Sequence, residues 1–388
     1  MDPFNFDSPP DRRHSDSAMW NKFGDRDVLP TWVASMHFRS APGILQALHQ
    51  RIDEGVFDYA SPRPSTIQAV REWFFSQYQW NIEDPWIVWL PGGVVGLNVG
   101  SRAFAKEGEE GLTFGPSYPP FTEAPLRSGR IVRRVPMALD RTARRWEIDW
   151  DALEAGVSPL TRFFILCHPY NPIGRVWERA ELVRLVEFCA RYRLALVSDE
   201  VHSGLVLNPQ KPHVPVADLG DEANELTVTL TGPSKTFNLQ LSTTVCIAAN
   251  QSLRERLAQA AQYISGYVNA IGYTTCEAAY RTGEPWRLAL LDYLRSNRDL
   301  LLETVNRDLP GIKIEAPIDA TYLAWLNVSE LGLPDPTAHF EKHGVGFMDG
   351  ELFGEPKGNY VRMNFACPRP MLRESLARMA LAIKSRFI

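Results

Sequence analysis

The sequence predicts an α/β protein: a mostly parallel sheet covered by helices on both faces, followed by a second, smaller α+β domain. Two patterns carry this prediction. Between residues 86 and 230, short apolar runs bounded by turn residues alternate with stretches of helical periodicity, the signature of βα units. After Pro310 the text changes to short strands and one closing amphipathic helix. At roughly 100–200 residues per domain, a chain of 388 residues holds two or three.

Residues 1–40 are rich in charged and turn-forming residues around Val28-Leu-Pro-Thr-Trp-Val-Ala-Ser-Met36, which reads as an arm with one apolar anchor. Ile44, Leu45, Ala47, Leu48 and Ile52 recur at helical spacing, and so do Ile67, Val70, Trp73 and Phe74. Strands are expected at 86–90, 111–114, 131–135, 162–167, 194–198 and 226–230. A long helical region covers 251–308. Short strands follow at 312–314, 320–325 and 360–364, and a helix at Met371–Arg386 closes the chain. Sheets of this kind present ligands at the carboxyl ends of their strands.

Composition narrows the function. Hydrophobic residues at 45% and charged residues at 22% suit a globular protein with a large core, and exclude a disordered chain, a collagen-like fibre or a coiled coil. The net charge of -5 comes without a basic stripe, so no nucleic-acid partner is expected. Apolar runs fall far short of the ~20 residues that span a bilayer, so no membrane partner is expected either. The acidic start lacks the pattern of a signal peptide. Five scattered cysteines suggest neither a disulfide framework nor a zinc site, and the histidines show no zinc spacing, so no metal is expected. A reducing, cytoplasmic compartment fits best.

Three strand ends are unusually polar. Leu166-Cys-His-Pro-Tyr-Asn-Pro-Ile-Gly174 runs from a strand into a turn that presents Asn171; by itself Asn-Pro is a common turn pair. Val197-Ser-Asp-Glu-Val-His202 places two carboxylates at a buried strand end, costly unless paired, although Asp199 could also serve as a helix cap. Leu230-Thr-Gly-Pro-Ser-Lys-Thr-Phe-Asn238 holds Lys235, one of eight lysines against 33 arginines. Burial there disfavours the charged amine and makes it a better nucleophile. An acid for a ring nitrogen, an amide for a ring oxygen and a lysine for a Schiff base are what pyridoxal phosphate (PLP) requires. Leu90-Pro-Gly-Gly-Val-Val-Gly-Leu-Asn98, with small residues between a strand and a helix, is a candidate phosphate cradle. It is not the Gly-x-Gly-x-x-Gly of dinucleotide binding.

With these residues in order, the chain resembles the fold-type I, class I/II aminotransferase-like PLP enzymes, and within them the MalY/PatB-like branch of cystathionine β-lyases and carbon–sulfur lyases. Asp27-Val-Leu-Pro-Thr-Trp-Val-Ala34, Asn171-Pro-Ile-Gly-Arg-Val-Trp177, Ser198-Asp-Glu-Val-His202, Ser234-Lys-Thr-Phe-Asn-Leu239 and Val361-Arg-Met-Asn-Phe-Ala-Cys-Pro-Arg369 carry the likeness over nearly the whole length. The resemblance implies a seven-stranded, mostly parallel sheet in a large PLP-binding domain (45–285). An N-terminal arm (1–44) would join a small C-terminal α+β domain (286–388). It implies that Lys235 binds the cofactor covalently and acts in catalysis, Asp199 holds the ring-nitrogen proton, Asn171 and His202 face the ring hydroxyl, and Tyr118 stacks on the ring. Gly93, Val94 and Ser234 would hold the phosphate, with Tyr59 of a partner subunit reaching it. Arg362 and Ala34 would bind the substrate, in a homodimer with shared sites. Near the substrate the chain departs from the family: Ala34-Ser-Met-His-Phe38 replaces Ala-Asp-Met-Asp-Phe, and Tyr170 replaces a histidine.

The function so implied is β-elimination from an L-amino acid carrying sulfur on Cβ, releasing a thiol, ammonia and pyruvate. Transamination of an L-amino acid uses the same residues and is the alternative. A cofactor-binding regulator is a third reading, without an appended DNA-binding or partner module to support it.

Overall fold

Runs such as Thr227-Val-Thr-Leu-Thr231, buried at every position, can only sit inside a sheet that is covered on both faces. The computed structural model describes residues 4–241 and 243–385. Its strands are, in chain order, β1 (Leu29–Pro30), β2 (Ile87–Leu90), β3 (Glu110–Gly115), β4 (Ile131–Asp140), β5 (Arg145–Ile148), β6 (Thr161–Cys167), β7 (Ala195–Asp199), β8 (Thr227–Thr231), β9 (Thr244–Ile247), β10 (Leu323–Asn327), β11 (Val345–Gly346), β12 (Met348–Asp349) and β13 (Tyr360–Asn364).

The large sheet has the order β2-β9-β8-β7-β6-β3-β4-β5. Its central strands run parallel, and β9 is antiparallel to both of its neighbours. The count is eight rather than the seven expected. The extra strand arises because β4 continues beyond its pairing with β3, turns at Asp140 and folds back as β5. The Asp140 carboxylate accepts from the N–H groups of Thr142 and Ala143, both at 2.8 Å, which fixes that turn. The strand β9 escaped the sequence reading.

Past residue 250 the long helical region divides into three helices, Gln251–Ala261, Ala270–Thr282 and Glu284–Asp308. Asn250 and Asn269 cap the first two with their side chains, and Pro285 opens the third. A smaller antiparallel sheet, β10-β13-β12, follows. The run 312–314 is not a strand: only Lys313 pairs, in a single bridge to Asn327. The next strand starts at Leu323 rather than Ala320, because Thr321 has a positive φ of 69° that breaks the extended chain. The closing helix runs Arg369–Ser385, and its expected end at Arg386 lies outside the described residues. The arm is tied to this C-terminal layer by parallel pairing of β1 with β11.

Close packing in the large sheet leaves one position no tolerance. A Cβ on Gly111 of β3 would lie 2.5 Å from ring carbons of the fully buried Phe163 on β6. Gly111→Ala is therefore expected to destabilise the protein by about 1–3 kcal/mol, the usual cost of overpacking, and to lower the thermal unfolding midpoint. An unchanged midpoint would contradict this packing.

Candidate active site

The parallel strands β2, β6, β7 and β8 all end on one edge of the sheet. There β6 leads into the turn holding Asn171, β7 ends on Asp199, and β8 leads through Gly232 into the short helix Pro233–Thr236 with Lys235. β2 leads through Pro91 and Gly92 into the helix Gly93–Phe104. A cavity of about 280 Å³ opens between these ends, lined by Gly92, Gly93, Val94, Tyr118, Asp199, Ser234 and Lys235 among others. The left-handed Gly174 closes the Asn171 turn; a Cβ there would stand 3.0 Å from Ile318 and 3.2 Å from the Ala320 carbonyl.

Charge in this cavity is unbalanced and poorly solvated. Lys235 Nζ donates to the Ala34 carbonyl at 3.0 Å. Burial, helped by the Arg362 cation, lowers its pKa to about 8, against the pull of Asp199. Burial likewise pushes the Asp199 carboxyl up to about 7, although the Val201 N–H donates to it at 3.3 Å and the Lys235 ammonium attracts it. A cation delivered beside Asp199 would restore the charged carboxylate.

Arg362, in the middle of β13, is 2% exposed. Nη1 donates to Asn171 Oδ1 at 3.0 Å, and Nη2 contacts the Trp32 carbonyl and Met348 Sδ, each at 3.0 Å. Its guanidinium also lies 5.0 Å from the Phe353 ring centroid. Nε has no partner, and no carboxylate among the described residues pairs with it. Burial lowers its pKa to about 10. A buried guanidinium without an acid can take up an incoming carboxylate. His202 is also buried, with Nδ1 unpartnered. Burial, with Lys235 and Arg362 adding to it, lowers its pKa to about 3, so the ring is neutral.

At the other end of the cavity, a Cβ built on Gly92 or Gly93 would meet nothing within 4 Å. The first N–H groups of a twelve-residue helix face this opening, a setting that attracts an anion. Tyr118 and Ser234 line the same cavity. Burial, with the Asp199 charge adding to it, raises the pKa of Tyr118 and keeps it a neutral phenol. Tyr59 does not join this group. It is 90% exposed and packs edge-on against the exposed Tyr267, with ring centroids 6.0 Å apart.

Two contacts were not read from the sequence. Tyr322 Oη donates to the same Ala34 carbonyl at 3.1 Å. Asn238 grips the arm beside it through Met36 and Ser35. The sequence signal for Asn238 was its place three residues after the lysine, but a polar residue in a loop announces no partner.

Among the described residues no cluster of His, Cys, Asp and Glu could hold a metal ion. A helix N-terminus, a buried acid and a lysine amine around one cavity fit a phosphorylated aromatic aldehyde. Residues 35–379 match the family described as aminotransferase class I and II.

The chain belongs to the class I and II aminotransferase family.

Several relatives are similar along their whole length. The cystathionine β-lyase PatB of Bacillus subtilis (strain 168) is 34% identical over 98% of this chain and 100% of its own. Among solved structures, that of OvoB is 42% identical, covers 98% of this chain and 100% of its own, and has a TM-score of 0.94. Cystalysin from Treponema denticola, which contains pyridoxal 5'-phosphate, is 27% identical over 98% and 99%, with a TM-score of 0.93.

Behind Asp199, on the opposite side of its strand, lies a buried polar cluster. Glu200 Oε2 meets His213 Nε2 at 2.8 Å, while Oε1 accepts from Ser198 Oγ at 2.8 Å and the Val216 N–H at 3.1 Å. Burial keeps His213 neutral and raises Glu200 to about 7, so the contact is a hydrogen bond between a neutral imidazole and the carboxyl. His213→Phe strips that partner from a buried carboxyl. It is expected to cost about 2 kcal/mol, read as a lower chemical-unfolding midpoint; a neutral result would contradict the pairing.

Proposed function

We propose that this member of the family is a PLP-dependent carbon–sulfur β-lyase, acting on an L-amino acid with a sulfur leaving group on Cβ. The reading rests above all on Lys235, whose amine stands at about pKa 8 between Asp199 and the Ala34 carbonyl. Names of full-length relatives such as PatB support the sulfur leaving group.

PLP, when bound, supplies a covalent link to an amine and a ring that accepts the electron pair left at Cα. Every other task falls to the protein. The N–H groups at Gly93 and Val94 and the Ser234 side chain would hold the phosphate. Asp199 would hold a proton on the ring nitrogen. Asn171, oriented by Arg362, and the neutral His202 would bond the ring hydroxyl. Tyr118 would cover the ring and exclude water. Arg362 receives the α-carboxylate, a planar fork for a planar anion. The Lys235 amine would take the Cα proton of the bound amino acid and hold it as an ammonium beside the Ala34 carbonyl. In the net reaction the sulfur on Cβ would leave as a thiol, taking up a proton, and the three-carbon remainder would hydrolyse to pyruvate and ammonia.

Further parts of the reading are an arm at 1–44, a large domain at 45–285 and a small domain at 286–388, in a cytoplasmic homodimer. The exposure of Phe57, Tyr59, Tyr263, Ile264 and Tyr267, at 59%, 90%, 96%, 54% and 84%, supports a second copy covering this face. Tyr59 of one protomer then reaches the phosphate held by the other.

Because the unprotonated amine is the reactive form, capture of PLP by the cofactor-free protein is expected to speed up from pH 6 and level off above about pH 8. Lys235→Ala is expected to abolish turnover and leave PLP bound only reversibly. Rapid mixing followed by absorbance checks the first, and dialysis with an assay of released pyruvate checks the second. Turnover retained by Lys235→Ala would overturn the assignment.

A further inference from the structure

The arm that crosses Lys235 is gripped from two sides by asparagine side chains. Asn238, on the lysine's own loop, accepts through Oδ1 from the Met36 N–H at 2.8 Å and from Ser35 Oγ at 3.2 Å. Its Nδ2 lies 3.1 Å from the Met36 carbonyl and 3.4 Å from that of Phe38. From the smaller sheet, Asn364 donates through Nδ2 to the Val33 and Ser35 carbonyls, at 2.8 and 2.6 Å. Its own N–H donates to Thr31 at 2.7 Å.

Ala34 lies between the two grips. Its carbonyl accepts from both Lys235 Nζ and Tyr322 Oη. Asn238 has φ of +56°, in the left-handed region where Asn and Gly are the residues most easily placed. Of those two, only Asn brings an amide that can both donate and accept.

We propose that Asn238 is a positioning residue, which fixes the Ala34 carbonyl as the resting acceptor for the Lys235 amine whenever that amine is free. This rests on the reading of Lys235 as the group that moves the Cα proton. A lysine released from its cofactor has four flexible side-chain bonds and about 2 kcal/mol of rotamer entropy to explore. A rigid acceptor confines the ammonium after it takes the proton, and keeps it within reach for the next transfer. Because the carbonyl can only accept, it favours the protonated amine over the free one. Asn364 holds the same stretch from the opposite side, so loss of Asn238 loosens the arm without releasing it.

The test uses the full chain with two variants. Asn238→Gly keeps the left-handed backbone and deletes the amide; Asn238→Asp keeps the acceptor and removes the donor. Hydrogen exchange of the Met36 amide is measured in the cofactor-free protein, together with the pH midpoint of PLP capture. Steady-state kinetics follow on the loaded enzyme. In Asn238→Gly, Met36 is expected to exchange faster and the capture midpoint to fall below the wild-type value. A misplaced base is expected to lower kcat roughly 10- to 100-fold, with KM held within about threefold. Asn238→Asp should keep Met36 protected and lose less of kcat.

Unchanged exchange, an unmoved capture midpoint, or a rise in KM with kcat intact would each overturn the proposal. If the wild-type enzyme releases no thiol from any amino acid, the lyase reading fails. Exchange and capture still decide the role of Asn238, since neither depends on the reaction catalysed.

Discussion

A single backbone carbonyl, that of Ala34, holds the amine of Lys235 at the junction of the large sheet, the arm and the smaller sheet. The lysine comes from the loop after β8, the carbonyl from the arm, and the arm is paired through β1 to β11 in the C-terminal layer. Around this contact, burial drives each charged group towards neutrality: the amine to about 8, the Asp199 carboxyl to about 7 and the Arg362 guanidinium to about 10. Isolated, this is an unfavourable arrangement. It becomes favourable with a ligand that brings a cationic ring nitrogen to Asp199 and an anion to Arg362, so the strain in charge is also the specificity of the site.

Much of this was legible from the sequence because it is local. Asn171, Asp199 and Lys235 each stand just beyond a buried apolar run, and parallel strands bring such ends to one edge. The glycine turn was legible for the same reason: Pro91-Gly92-Gly93 separates β2 from a helix. Arg362 was harder. It sits inside a strand, where an arginine could equally be a surface cation, and only the family likeness marked it.

What stayed hidden depends on contacts across long stretches of chain. Asn238 meets residues some 200 positions earlier, and Tyr322 meets Ala34 from nearly 300 positions away. No period or motif encodes such a pairing. The strand β9 was missed because four residues following a polar loop give no alternation to read, and β5 because its pairing depends on the Asp140 turn. The arm is one place where the sequence departs from the family it resembles. His37, where the family carries an aspartate, is buried and held near pKa 4 by desolvation, with Nε2 3.3 Å from the Pro30 carbonyl. A neutral ring therefore occupies this point of the arm.

A β-lyase sends the electron pair at Cα out through Cβ with sulfur, whereas an aminotransferase returns it with a proton to the cofactor. The direct measurement incubates the PLP-loaded protein with L-cystathionine and, separately, with S-conjugates of L-cysteine, in the absence of any keto acid. Pyruvate and cofactor absorbance are recorded together. Repeated pyruvate release with the starting absorbance retained is the predicted result. Bleaching after one turnover, reversed by adding a keto acid, would contradict it and make the protein an aminotransferase.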